Sequence, residues 1–261
     1  MRKTQIDKIP NIPEGLTAFI DGAKLFDSSC SPEARVYFID KGEGYYLKRA
    51  EKGALEKEKI MTEYFHKKGL GTEVVCSIQD ESCDWLLTAA LKGEDCTYFK
   101  YLENPKRLCD TIAERLRELH ELDFSDCPIT DRNEYYLATA EKNYRNGVFD
   151  SELLSGELKF DDREAAFSLI EREKSSFKSD VLLHGDYCLP NIMLDNWNFS
   201  AFIDLGLGGV GDRHIDLFWG ACTLNFNLKT DKYRPRFFDA YGRDKVSLDM
   251  IRVIAAAEHF G

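Results

Sequence analysis

Apolar and polar positions change their spacing near residue 92. Ahead of that point they alternate in short runs at 23–26, 35–40 and 45–50, with a Lys-Gly-Glu-Gly turn at 41–44, which predicts an antiparallel meander. Residues 73–78 and 85–90 predict two further strands, giving a five-stranded front sheet. Between the 45–50 run and these two strands, Leu55, Ile60, Met61, Tyr64 and Phe65 form one stripe at about 100° per residue, which predicts a single helix over 52–67. After the segment Leu91-Lys92-Gly93, a candidate hinge, the period becomes helical. Pro105 can open a helix with Leu108, Ile112, Leu116 and Leu119 on its apolar face, ending near His120. Helices are also predicted at 161–178, 214–224, 231–241 and 247–259, with a polar insert at 133–159. Two short apolar runs, 181–183 and 201–203, predict buried strands in the back half. The pattern predicts an α+β chain in two parts: a β-rich lobe over 1–91 and a mainly helical lobe over 92–261.

Composition narrows this picture. A chain of 261 residues with 43% apolar content buries a substantial core, so disorder is excluded. No window approaches about 18 uncharged apolar residues, and residues 1–10 lack the apolar core of a signal peptide, so a soluble cytoplasmic protein is expected. The eight cysteines are scattered without a Cys-x-x-Cys pair, so reduced thiols and no zinc are expected. A net charge of −11 argues against nucleic acid or an anionic membrane as partner and is compatible with a polycationic ligand. No obligatory protein partner is expected.

The candidate chemistry lies between residues 181 and 206. Each short strand delivers an acidic residue at or just past its end: Asp186, five positions before Asn191, and Asp204, followed by Leu205-Gly206. Phosphoryl transfer needs these parts: a carboxylate for the hydroxyl proton, then an amide and a carboxylate to hold Mg²⁺ against nucleotide phosphates. In the front half, Tyr46 and Lys48 are two apart on one strand and project from the same face. An aromatic to stack on adenine beside a lysine for the α and β phosphates is what the roof of an ATP site requires. That lysine needs an acid. Among Glu51, Glu56, Glu58 and Glu63, Glu58 falls near the edge of the helical stripe, whereas Glu56 falls nearly opposite.

The segment His184-Gly185-Asp186-Tyr187-Cys188-Leu189-Pro190-Asn191-Ile192-Met193-Leu194-Asp195, with Phe202-Ile203-Asp204-Leu205-Gly206, resembles the bacterial aminoglycoside phosphotransferases. It is most similar to the 3'-phosphotransferases that inactivate kanamycin and neomycin. The resemblance implies a two-lobed protein-kinase-like fold, ATP as cosubstrate with GTP left open, Mg²⁺, and a cationic small-molecule acceptor, an aminoglycoside phosphorylated at its 3'-hydroxyl. It implies that Lys48 and Glu58 form the ion pair, that Asn191 and Asp204 hold Mg²⁺, and that Asp186 orients the acceptor hydroxyl. It places Ser31, before Pro32, in the nucleotide loop, although 27–32 has no Gly-x-Gly-x-x-Gly. It assigns the Ala89 carbonyl and the Leu91 N–H to the adenine edge, and Asp216 to a brace beneath the catalytic loop. Acidic residues of the insert, Asp150, Glu152 and Glu157, and Glu258 near the C-terminus become candidates for the drug's ammonium groups.

One departure concerns substrate. Where the family carries an arginine and then acidic residues, this chain has Cys222-Thr223-Leu224-Asn225-Phe226-Asn227. A kinase for another small hydroxylated substrate, such as choline or methylthioribose, is therefore the first alternative. A nucleotide-binding pseudokinase is the second, and retention of Lys48, Glu58, Asp186, Asn191 and Asp204 speaks against it. A metal hydrolase built on His184 and Asp186 is the third, but His66, His120, His214 and His259 show no ligand spacing. His120 reads as a favourable charge at a helix end, His214 as a surface residue, and His184 as a donor to the loop backbone.

Overall fold

The front-half alternation folds into an antiparallel sheet of six strands, one more than the pattern predicts. They are β1 (Thr4–Ile6), β2 (Lys24–Asp27), β3 (Ala34–Asp40), β4 (Tyr45–Glu51), β5 (Val74–Gln79) and β6 (Cys83–Ala89), in the order β1-β2-β3-β4-β6-β5. The computed structural model describes residues 3–32 and 34–261. The extra strand, β1, is three residues long and carries no apolar alternation, so the periodicity holds no sign of it. A four-residue helix, α1 (Thr17–Ile20), precedes β2, and α2 (Glu56–Lys67) follows β4.

Successive side chains in a strand face opposite ways, so this sheet has two different faces. Tyr37, Ile39, Leu47, Trp85 and Leu87 share one face and pack with Leu16 and Leu25 into a buried core. Val36, Tyr46, Lys48, Leu86 and Thr88 share the other, where Lys48 is in register with both Val36 and Leu86. A lysine on that face is thus flanked by apolar strands.

Beyond β6 the chain forms β7 (Glu94–Asp95), then α3 (Phe99–Leu102), α4 (Pro105–His120), α5 (Arg132–Arg145), α6 (Arg163–Glu173) and β8 (Val181–Leu183). The hairpin β9 (Ile192–Asp195) and β10 (Asn198–Phe202) follows, then β11 (Gly209–Gly211), α7 (His214–Leu228), α8 (Arg234–Gly242) and α9 (Leu248–Glu258). β7, β9 and β10 make a three-stranded sheet, and β8 pairs with β11.

The chain divides into two units: one runs through Cys96 and takes in Pro190–Gly206, and the other comprises Thr97–Leu189 and Leu207–Gly261. This differs from the break expected between 91 and 92. β7 pairs with β9, which holds 92–96 and the hairpin in the first unit. Gly93 permits the approach: its φ is +100°, and a Cβ there would lie 2.2 Å from the Leu194 carbonyl oxygen.

In the second unit α4 buries Leu108, Ile112, Leu116 and Leu119, each worth about 2 kcal/mol of transfer free energy. The polar insert is more ordered than expected. α5 spans its first part, but Arg132, Asn133 and Ala140 are the residues it buries, too few to set a helical period. α6 ends at Glu173, short of the expected 178, and its start is capped by Asp162, which accepts from the Glu164 and Ala165 N–H groups. Among the described residues no helix is long and apolar enough to cross a membrane.

Candidate active site

A cavity of about 340 Å³ opens on the Lys48 face of the first unit's sheet. Ser31, Tyr46, Lys48, Glu58, Ala89 and Leu91 line it, and so do Asn191 and Asp204. The structure thus brings together, within one unit, the residues assigned to nucleotide and metal.

Lys48 is at the centre. Its Nζ donates to Glu58 Oε2 at 2.7 Å and to Asp204 Oδ1 at 2.8 Å. Burial would lower its proton affinity, but the two carboxylates outweigh burial and hold Lys48 above its ordinary value. Burial is also the largest influence on Glu58 and, with the Asp204 charge, raises its carboxyl against the pull of Lys48. One cation therefore compensates two acids. Asp204 follows β10 with φ +59°, a left-handed conformation that aspartate tolerates better than most residues. Ile203 N–H donates to the Asn191 carbonyl at 3.0 Å, which ties the two oxygen-bearing residues into one hairpin. An amide oxygen and a carboxylate are hard donors and fit Mg²⁺, which completes its shell with water and phosphate oxygens.

The loop from Ser28 to Pro32 is held by its own side chains in place of glycines. Ser28 N–H donates to the Val36 carbonyl at 2.8 Å, Ser29 Oγ accepts from Val36 N–H at 2.9 Å, and Ser29 N–H donates to Asp27 Oδ1 at 2.9 Å. Ser31 is exposed at the cavity's edge. At the opposite wall, Ala89 N–H is used by the Glu73 carbonyl at 3.0 Å, and the Ala89 carbonyl accepts from the Thr72 hydroxyl at 2.5 Å.

The second unit carries Asp186 on the loop after β8. The brace implied by the resemblance is present: Asp216 Oδ2 accepts from His184 N–H and Oδ1 from Gly185 N–H, both at 2.8 Å. His120 lies 3.1 Å from Asp216 Oδ2 through Nε2 and 2.8 Å from the Tyr241 hydroxyl through Nδ1. His120 does end α4, but its reading as a charge there is corrected. It is buried, and burial lowers its proton affinity despite Asp216, so the neutral ring joins Asp216 to Tyr241. His184 is also corrected: Asp186 N–H donates to its Nδ1 at 3.2 Å, so the ring accepts from the backbone. His214 is not a surface residue. Ser247 N–H donates to its Nε2 at 2.9 Å, which leaves Nδ1–H for Asp212 Oδ1 at 2.6 Å.

The four acidic substrate candidates fall into two groups. Glu258 is buried, and its Oε1 accepts from the Tyr136 hydroxyl at 2.8 Å and from Trp219 Nε1 at 3.1 Å. Burial pushes its carboxyl up to about 7, the two donors pull it down, and the charge of Asp186 adds to the rise. Asp150, Glu152 and Glu157 are exposed. Asp150 Oδ1 caps the Glu152 N–H at 2.9 Å, Glu152 pairs with Lys159 at 3.1 Å, and Glu157 lies 4.0 Å from Arg234. Thr72, Tyr136 and Trp219 were not singled out by the sequence, because their partners are far along the chain.

Residues 30–251 match the model of a family described as the phosphotransferase enzyme family. The chain is 52% identical over 253 residues to a probable aminoglycoside 3'-phosphotransferase of Lactococcus lactis subsp. lactis, covering 97% of this chain and 96% of that one. It is 29% identical over 188 residues to an aminoglycoside 3'-phosphotransferase of Niallia circulans, covering 72% and 71%. Among solved structures, the fold is similar to that of an aminoglycoside-3'-phosphotransferase of type VIII, with TM-score 0.77, 25% identity and coverage of 92% and 94%. It is also similar in fold to an aminoglycoside phosphotransferase from Streptomyces rimosus in complex with ADP and streptomycin, with TM-score 0.70, 22% identity and coverage of 95% and 99%.

Proposed function

Since the chain belongs to the phosphotransferase enzyme family, we propose that it transfers the γ-phosphoryl group of ATP to the 3'-hydroxyl of an aminoglycoside, and thereby confers resistance from the cytoplasm. The observation that carries this reading is the cation of Lys48 bridging Glu58 and Asp204 in a cavity that Asn191 also lines. Lys48, fixed by Glu58, orients the α and β phosphates. Tyr46 stacks on adenine, the Ala89 carbonyl and Leu91 N–H read its edge, and Ser31 meets the phosphates. Asn191 and Asp204 would hold Mg²⁺, which would supply charge that neutralises the nucleotide phosphates. Asp186 orients the acceptor hydroxyl and takes its proton late. A loose transition state asks for positioning more than base strength, so an ordinary carboxylate suffices.

Glu258, with Asp150, Glu152 and Glu157 at the surface, meets the ammonium groups of the acceptor. In lobe terms, 1–91 with the β9–β10 hairpin serves the nucleotide and the rest of 92–261 serves the acceptor. A second reading, a kinase for a less cationic hydroxylated substrate, is favoured by the end of α7. There Phe226 is 72% exposed and Lys229 Nζ lies 4.3 Å from its ring, so the turn carries a positive charge.

The test is turnover with ATP and Mg²⁺ on aminoglycosides with and without a free 3'-hydroxyl. Phosphorylation confined to compounds that have it is the expected result. Inert aminoglycosides alongside phosphorylated choline or methylthioribose would replace this reading with the second.

A further inference from the structure

The carboxylate that ends α9 is held by one oxygen only. Glu258 Oε1 accepts from the Tyr136 hydroxyl of α5 at 2.8 Å and from Trp219 Nε1 of α7 at 3.1 Å. The Tyr136 proton has a second acceptor in reach, the Ile254 carbonyl at 3.4 Å, but the shorter bond holds it. Among the described residues Glu258 Oε2 has no hydrogen-bond partner, and it is not one of the atoms sealed from solvent without one, so it is reachable. A carboxylate has about four acceptor positions, and two donors on Oε1 leave those on Oε2 vacant. The donors also decide where a proton goes. An indole N–H only donates, and burial, with the Glu258 charge, raises Tyr136 well above its ordinary value and keeps it protonated. Oε1 is thus filled, and a proton on Glu258 sits on Oε2. A proton and an ammonium group compete for the same oxygen.

We propose that Tyr136 and Trp219 are positioning residues that hold one oxygen of Glu258 so that the other receives an ammonium group of the acceptor. The proposal rests on the reading of Glu258 as a carboxylate that meets the acceptor. The two donors come from different helices of the second unit, so the side chain is fixed from two sides and cannot turn Oε2 away without breaking a bond. Among the described residues, the titratable groups that face Glu258 are Tyr136 on α5, Cys222 on α7 and Asp186 on the loop after β8. Burial, with the Glu258 charge, pushes Cys222 up to about 12, so of the three Asp186 brings the charge. The neighbouring His259 is engaged elsewhere, with the Asp150 carbonyl through Nδ1 and the Phe160 N–H through Nε2. No cation of the chain bonds to Glu258, which suits a place where the ligand brings one.

The experiment measures kcat, KM for kanamycin, KM for ATP and melting temperature in Tyr136→Phe, Trp219→Phe and Glu258→Gln as pH is varied. In the parent, KM for kanamycin is expected to fall as pH rises through about 7, where Oε2 loses its proton. Glu258→Gln lacks that carboxyl and shows only the change due to the drug's own amines. Tyr136→Phe and Trp219→Phe each remove a donor that pulls the Glu258 carboxyl down. Each is expected to raise KM for kanamycin about three- to tenfold at neutral pH, to keep KM for ATP within about twofold, and to move the fall upward by about half a pH unit or more. A role confined to packing would lower melting temperature and leave that pH where it was. Tyr136→Phe deletes a single oxygen, so if Trp219→Phe fails to fold, Tyr136→Phe decides alone. An unmoved pH in Tyr136→Phe would overturn the proposal, whether or not KM rises. Glu258→Gln separates the premise from the proposal. If it matches the parent in KM for kanamycin, the role given to Glu258 fails. If it is impaired while both donor variants match the parent, the positioning alone fails. Kanamycin inert in the parent would overturn the proposed function, and this proposal with it.

Discussion

The two units hold their reactive carboxylates by different means. In the first, a cation stands between Glu58 and Asp204, and charge fixes geometry. In the second, Asp186 sits on a loop braced by neutral donors: the His184 and Gly185 backbone N–H groups and the His120 imidazole, all on Asp216. Charge pairing is long-ranged and forgiving of angle, whereas hydrogen bonds demand direction. On the proposed function, nucleotide phosphates would bring their own charge and metal to the first site. An acceptor hydroxyl would bring neither, so its proposed partner Asp186 would have to be aimed beforehand.

The comparison breaks most sharply at Asp216. Asp216→Ala leaves the His184 and Gly185 N–H groups and His120 without their acceptor, and a loss of about 4 to 5 kcal/mol is expected in urea unfolding. Next comes Lys48→Met, which leaves buried Glu58 beside Asp204 with no cation. It is expected to cost about 3 to 4 kcal/mol and to weaken ATP binding at least about tenfold, with stability largely restored by a second change, Glu58→Leu. A hydrogen-bonded site would not be rescued by such a double change.

Glu258 sharpens the contrast through pH. Its carboxyl is raised from 4.5 to about 7, so between those values the folded chain keeps a proton that the unfolded chain has released. The stability this contributes is present below about pH 4.5 and is lost as pH rises through about 7. Thermal unfolding should show that decline, worth about 3 kcal/mol, in the parent and not in Glu258→Gln. The smallest effect belongs to Glu152→Gln, whose carboxylate is 80% exposed. Its melting temperature should match the parent's, and acceptor KM should rise only about two- to threefold because solvent screens this carboxylate and Lys159 shares it, whereas Glu258→Gln raises that KM well beyond this.

The first site was the more legible in sequence. Lys48 and Tyr46 lie two apart on a strand, and Glu58 lies on a strongly periodic helix, so two local rules converge on one face. Asp186, Asn191 and Asp204 were readable from spacing. What sequence could not supply were contacts closed by distant residues. His120 meets Asp216 and Tyr241, 96 and 121 positions away, and His214 meets Ser247, 33 positions away. A histidine's partner, not its neighbours, decides whether it is a surface charge or a buried link. β1 and the helix α5 escaped for another reason: one is too short and polar to alternate, and the other buries too few residues to show a period.

Gly185, between the brace and Asp186, has φ +89°, and a Cβ there would fall 1.8 Å from the Leu207 carbonyl oxygen. Two backbones meet at that point with no room for even a methyl group. On the proposed function, adaptive change toward new acceptors would therefore pass around this spot, through α7, the insert and the C-terminal helix. In a saturation library under drug selection, codon 185 should return a single letter while its surroundings diversify.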